Sequence, residues 1–120
     1  MNDLRLARTL VLATLLAACS SPSQKPSTEG SEIAAMAPLK QQYSDLVAGF
    51  DVRPASTLVV SVDLQNYIET DDDTLKAMRR EALTRWRRAW IAAHPHAHAM
   101  LQVRFIDFIG RKVATESTRV

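Results

Sequence analysis

Between Asp71 and Ala93 the apolar residues Leu75, Met78, Ala82, Trp86, Ala89 and Ala93 recur in steps of three and four. That spacing draws one apolar stripe along one side of an α-helix. Thr70 or one of the aspartates 71–73 caps its start, where acidic groups suit the positive end of the helix dipole, and Pro95 stops it. A lone amphipathic helix has to bury its stripe. In a chain of 120 residues, enough for one small domain, the cover has to come from the segments on either side.

Those segments have a different period. Leu46, Ala48, Phe50 and Val52 alternate, as do Leu58, Val60, Val62 and Leu64, with a turn at Arg53–Ser56 between them. After the helix, Leu101, Val103 and Phe105 alternate, Gly110 supplies a turn, and Lys112–Val120 returns. The order is β-β-α-β-β, an α+β fold: a two-layer domain with a four-stranded, mainly antiparallel sheet and one helix on one face. A competing reading runs a helix from Pro38 to Ala48, with proline at its first position and Gly49 just past its end. The expected core face carries Phe50, Val52, Val60, Val62, Leu101, Val103 and Phe105. The other phase puts Val47, Val59 and Ile106 among polar residues such as Asp63 and Arg104, a mixture suited to docking.

The first residues follow neither period. Arg5 and Arg8 precede an apolar run, Thr9–Ala18, that is too short for a permanent membrane span. It closes on Leu16-Ala17-Ala18-Cys19, the single cysteine of the chain. This resembles the lipobox of bacterial lipoproteins. The resemblance implies a signal peptide over 1–18 and a mature chain whose first residue, Cys19, carries diacylglycerol and an N-acyl group such as palmitate. Ser20 in place of aspartate then implies the periplasmic face of the outer membrane. The alternative is an ordinary secretory signal cut after an Ala-x-Ala-like site. Ser20–Ser31 is rich in Ser and Pro and cannot join a core. Residues 19–42 are therefore expected to be the lipidated cysteine and a tether, and 43–120 the domain. Ile33, Met36 and Leu39 could make a short amphipathic helix, interrupted by Pro38.

Chemistry-bearing patterns are few. In an extended segment His94, His96 and His98 would point the same way and could hold zinc or copper. Solvent-exposed histidines in a loop are the plainer reading. Asp71–Asp73 lacks the glycine and glutamate of an EF-hand loop and is better read as a helix cap. Lys76, Arg80 and Arg87 share a narrow stripe of the helix bordered by Trp90 and Leu83. This is either a solvated face or a contact for an anionic surface. No catalytic motif is present: there is no nucleophile elbow, His-Glu-x-x-His or phosphate loop, and the lipobox resemblance implies that the lone cysteine is committed to lipid. A net charge of +2 is too balanced for bulk attraction to nucleic acid.

The expected function is a non-catalytic accessory module of the envelope, lipid-anchored and binding another macromolecule, most readily an envelope protein. Its alternatives are an immunity or inhibitor lipoprotein facing a periplasmic toxin or hydrolase, and a histidine-loop metal module.

Overall fold

The computed structural model describes residues 28–120, so Cys19 and the expected signal segment over 1–18 lie outside it. The elements are α1 (Thr28–Ala35), α2 (Ala37–Gln42), β1 (Val47–Arg53), β2 (Thr57–Val62), α3 (Leu64–Glu69), α4 (Asp72–Ala93), β3 (Met100–Ile106) and β4 (Lys112–Arg119). The fold is α+β. One four-stranded sheet has the order β1-β2-β3-β4. The two hairpins are antiparallel, and β2 and β3 run parallel because the helical crossover joins them.

The long helix forms where its stripe places it. The Asp71 carboxylate accepts hydrogen bonds from the Thr74 amide (3.0 Å) and hydroxyl (2.8 Å), which caps α4. Leu75, Met78, Ala82, Trp86 and Trp90 are buried against Val60, Val62, Leu101, Val103 and Phe105 in a single core. The expected sheet phase holds: Phe50 and Val52 pack on the same cluster, half-buried.

Four expectations need correction. The tether does not extend to Gln42, because Met36 and Leu39 are fully buried in the core. Pro38 opens α2 instead of breaking a helix, which lets α1 and α2 fold over one margin of the sheet. Helix and strand readings of this region are each half right, with helix to Gln42 and strand from Val47. Leu64 is not strand: the Asp63 carboxylate accepts from the Asn66 amide at 2.9 Å and starts α3. The helical layer is thus built from several helices, α4 being the longest.

The fourth correction is Val47. A bulge between Val47 and Gly49 inserts an extra residue into β1, so Val47, opposite Val62, faces the core together with Phe50. At 1% exposure it meets no partner.

Candidate interaction surface

The fold has two ends. At one, α4 finishes beside the β1–β2 turn, where the Trp86 indole donates to the Ser56 carbonyl (3.1 Å). Glu32 of α1 lies there, 3.8 Å from His94 Nδ1, so the chain enters the fold at this end. Glu32, Val52, Arg53, Ser56, Trp86, Trp90 and His94 line a cleft of about 190 Å³. His94 stacks on Trp90 with centroids 4.4 Å apart, and its Nδ1 lies 3.0 Å from the Trp90 carbonyl. A carbonyl only accepts, so this contact is a hydrogen bond in the tautomer that carries its proton on Nδ1.

The other end gathers α3 and the β3–β4 turn at the C-terminal ends of the parallel strands. Asp107 builds this turn. It is 2% exposed, and one carboxylate oxygen accepts from the amides of Ile109 (3.0 Å) and Arg111 (2.9 Å). The other accepts from Arg111 Nε at 2.9 Å. Asp107 and Gly110 close the loop through a backbone hydrogen bond of 3.0 Å, with Gly110 at φ 97°. The Arg111 amide, followed by its guanidinium and the Ile109 amide, holds the Asp107 carboxyl below its ordinary value against the opposing effect of burial.

This bracing points two apolar side chains at water. Phe108 is 87% and Ile109 64% exposed. Ile68 on α3, 71% exposed, joins them, and a shallow hollow of about 320 Å³ lies between Leu64, Gln65, Ile68, Glu69 and Phe108. α3 is braced as well. Asn66 donates to the Asp45 carbonyl (2.8 Å), Thr70 to the Asn66 carbonyl (2.6 Å), and Arg79 to the Tyr67 hydroxyl (2.8 Å). Large apolar groups held in water on a hydrogen-bonded frame make this end the candidate contact surface.

The residues singled out from sequence fall elsewhere. His94–His98 is a turn, with His96 at φ 67°, and not an extended run. His98 reaches the Val120 carbonyl at 3.3 Å while His94 stacks on Trp90, so their imidazoles are not aligned side by side. Among the described residues no group of three or more His, Cys, Asp or Glu side chains is placed to hold a metal. Trp90, expected at the border of the basic stripe, is 6% exposed and belongs to the core. Val59 does lie on the sheet face away from α4. It sits mid-sheet, in register between Asp51 and Arg104, and only 6% of it is exposed. Ile106 is half-buried and Arg104 exposed on that face. Lys76, Arg80 and Arg87 are exposed as expected. The Phe108 tip was missed, although Asp107 and Gly110 at the first and fourth turn positions signal that the two residues between them project outward.

No family model, curated protein or solved structure matches this chain.

Proposed function

We propose that this chain is a lipid-anchored binding module of the bacterial envelope, without catalytic activity. In this reading Cys19 carries the acyl chains at the periplasmic face of the outer membrane, and the domain docks an envelope protein on the Phe108–Ile109–Ile68 tip. The observation that supports the docking surface is the tip itself: a buried carboxylate and a left-handed glycine are spent on holding Phe108 and Ile109 in water. Aromatic and aliphatic anchors ringed by polar side chains are the usual centre of a protein interface. The Leu16–Cys19 motif supports the anchor. Stable attachment takes more than one chain, which a diacylated, N-acylated cysteine supplies.

The test pairs two double variants in a pull-down from envelope extracts. Phe108→Ser with Ile109→Ser is expected to lose the partner. Val59→Thr with Ile106→Thr, on the sheet face, is expected to keep it. The reverse pattern would move the interface to the sheet. Cys19→Ala, with palmitate labelling and membrane fractionation as readouts, tests the anchor separately; an unchanged label in that variant would end the lipoprotein reading.

A further inference from the structure

The arginines of α4 divide into two sets. Arg79 is held by Tyr67 and lies 3.7 Å from Glu116, and Arg85 is paired with Glu81 at 2.8 Å. Arg80, Arg87 and Arg88 are exposed and make no ion pair or hydrogen bond among the described residues. At 100° per residue they lie on the outer side of the helix with Thr84, exposed, and Ile91, 36% exposed. An aliphatic residue among unpaired guanidinia is the composition of an interfacial helix face.

Charge is also polarised along the molecule. Asp71, Asp72 and Asp73 sit on the first turn of α4, with Asp63 and Glu69 nearby, at the Phe108 end. Arg87 and Arg88 sit on the last turns, at the end where the chain enters, and Arg119 lies at that end as well. Lys76, Lys112 and the Asp107-paired Arg111 are cations at the acidic end; at the basic end Asp51 is paired with Arg53 at 2.8 Å, and Glu32 is buried 3.8 Å from His94 Nδ1. The chain between Cys19 and Thr28 spans at most ~30 Å when fully extended. An anchor on Cys19 therefore keeps the basic end close to lipid.

We infer that the outer surface of α4 from Arg80 to Ile91, formed by Arg80, Arg87, Arg88 and Ile91, rests on the anionic phospholipid headgroups of the membrane that holds the chain. This deepens the anchored reading above and rests on it for the orientation. Guanidinia suit phosphodiesters because their donors form a planar fork matched to phosphate oxygens. The contact turns the uncovered face of the sheet away from the bilayer and leaves the Phe108 tip free for a protein.

Cys19 is the single cysteine, so a second one can be labelled alone once the first is acylated. The purified lipidated chain is reconstituted with a fluorophore at Thr84→Cys, within the stripe, or at Ser117→Cys, exposed on the outer strand. In vesicles of phosphatidylglycerol and phosphatidylethanolamine, a bilayer-resident quencher should dim the Thr84 probe several-fold more than the Ser117 probe. The difference should vanish in phosphatidylcholine vesicles, and at about 0.5 M salt, where screening is nearly complete within a few ångströms. Arg80→Gln, Arg87→Gln and Arg88→Gln should each weaken partition onto the anionic surface about fivefold. Equal quenching at both positions, or quenching at Thr84 that ignores lipid charge, overturns the inference. Protection of the Thr84 probe by an acidic protein, with no response to vesicles, overturns it too. A chain that takes up label at both cysteines is unacylated. That outcome removes the anchor, while the two-probe comparison with added vesicles still reads the headgroup contact.

Discussion

Trp86 and Phe108 mark opposite ends of the sheet and are treated in opposite ways. Trp86 is fully buried and its indole bonds the Ser56 carbonyl, while the neighbouring Trp90 is covered by His94. Phe108 is 87% exposed, yet the turn that carries it is held by three hydrogen bonds to the Asp107 carboxylate. At the first end, polar groups close over aromatic rings. At the second, a buried carboxylate keeps an aromatic ring in water. Burial of large side chains is the main source of stability in a small domain. The difference therefore separates an end that holds the fold together from an end whose rigidity has no folding benefit in proportion to it.

The largest expected effect follows from that contrast. Trp86→Ala should destabilise the domain by ~3–5 kcal/mol, since it empties a packed site and removes one of the two hydrogen bonds to the Ser56 carbonyl, leaving that of the Gln102 amide. Phe108→Ser should leave stability within about 0.5 kcal/mol, as expected of an exposed site. Urea titrations of the two variants measure both. Comparable losses would mean that the tip is structural after all, and the docking reading would lose its support.

Acid should divide the ends a second way. Asp107 is held below its ordinary value of 3.8, first by the Arg111 amide. Asp71 is lowered by the Thr74 amide and hydroxyl, and it lies at the same end. A carboxyl whose folded-state pKa is depressed adds stability above its unfolded pKa, and that contribution is lost as pH falls through the folded value. The window for both therefore lies below 3.8. Amide signals of Ile109, Arg111 and Thr74, followed by NMR through that range, should shift with midpoints below 3.8. Midpoints at or above the ordinary value would show that these carboxylates are not braced in solution.

Much of this architecture was legible in the sequence, and the misses have physical causes. The α4 stripe and a cap among Thr70 and Asp71–Asp73, which the structure assigns to Asp71, the alternation of Val60 and Val62, and that of Leu101, Val103 and Phe105 are one-element patterns, and the fold obeys them. Val47 escaped because a bulge shifts the phase of β1, and a bulge is set by pairing with β2. Met36 and Leu39 escaped because Pro38 signals a helix start as readily as a helix break, and only contact with the core decides between them. The tip escaped for a related reason. Phe108 and Ile109 follow Phe105 and Ile106 with Asp107 alone between them, and hydrophobicity alone cannot tell that the chain has left the sheet.

The smallest expected effect compares the two hairpin turns directly. The β3–β4 turn places glycine where φ is 97°, whereas the β1–β2 turn places Ala55 and Ser56 at 63° and 56°. An L-residue in that region costs ~1–2 kcal/mol because its Cβ crowds the backbone, and glycine escapes the cost while losing more chain entropy on folding. Nothing lies within 4 Å of a Cβ built on Gly110, so Gly110→Ala tests backbone conformation alone. It should destabilise the domain by ~1–2 kcal/mol and loosen the Phe108 tip. Ala55→Gly should act in the opposite direction, adding ~0.5–1 kcal/mol once the entropy is deducted. Its side chain is exposed, so no packing is lost. The β1–β2 turn tolerates its strain because the Ser56 carbonyl is fixed by both the Trp86 indole and the Gln102 amide. If Ala55→Gly lowers the melting temperature instead, the left-handed pair is not strained. The buried end would then owe its geometry to the turn itself, and not to the tryptophan that covers it.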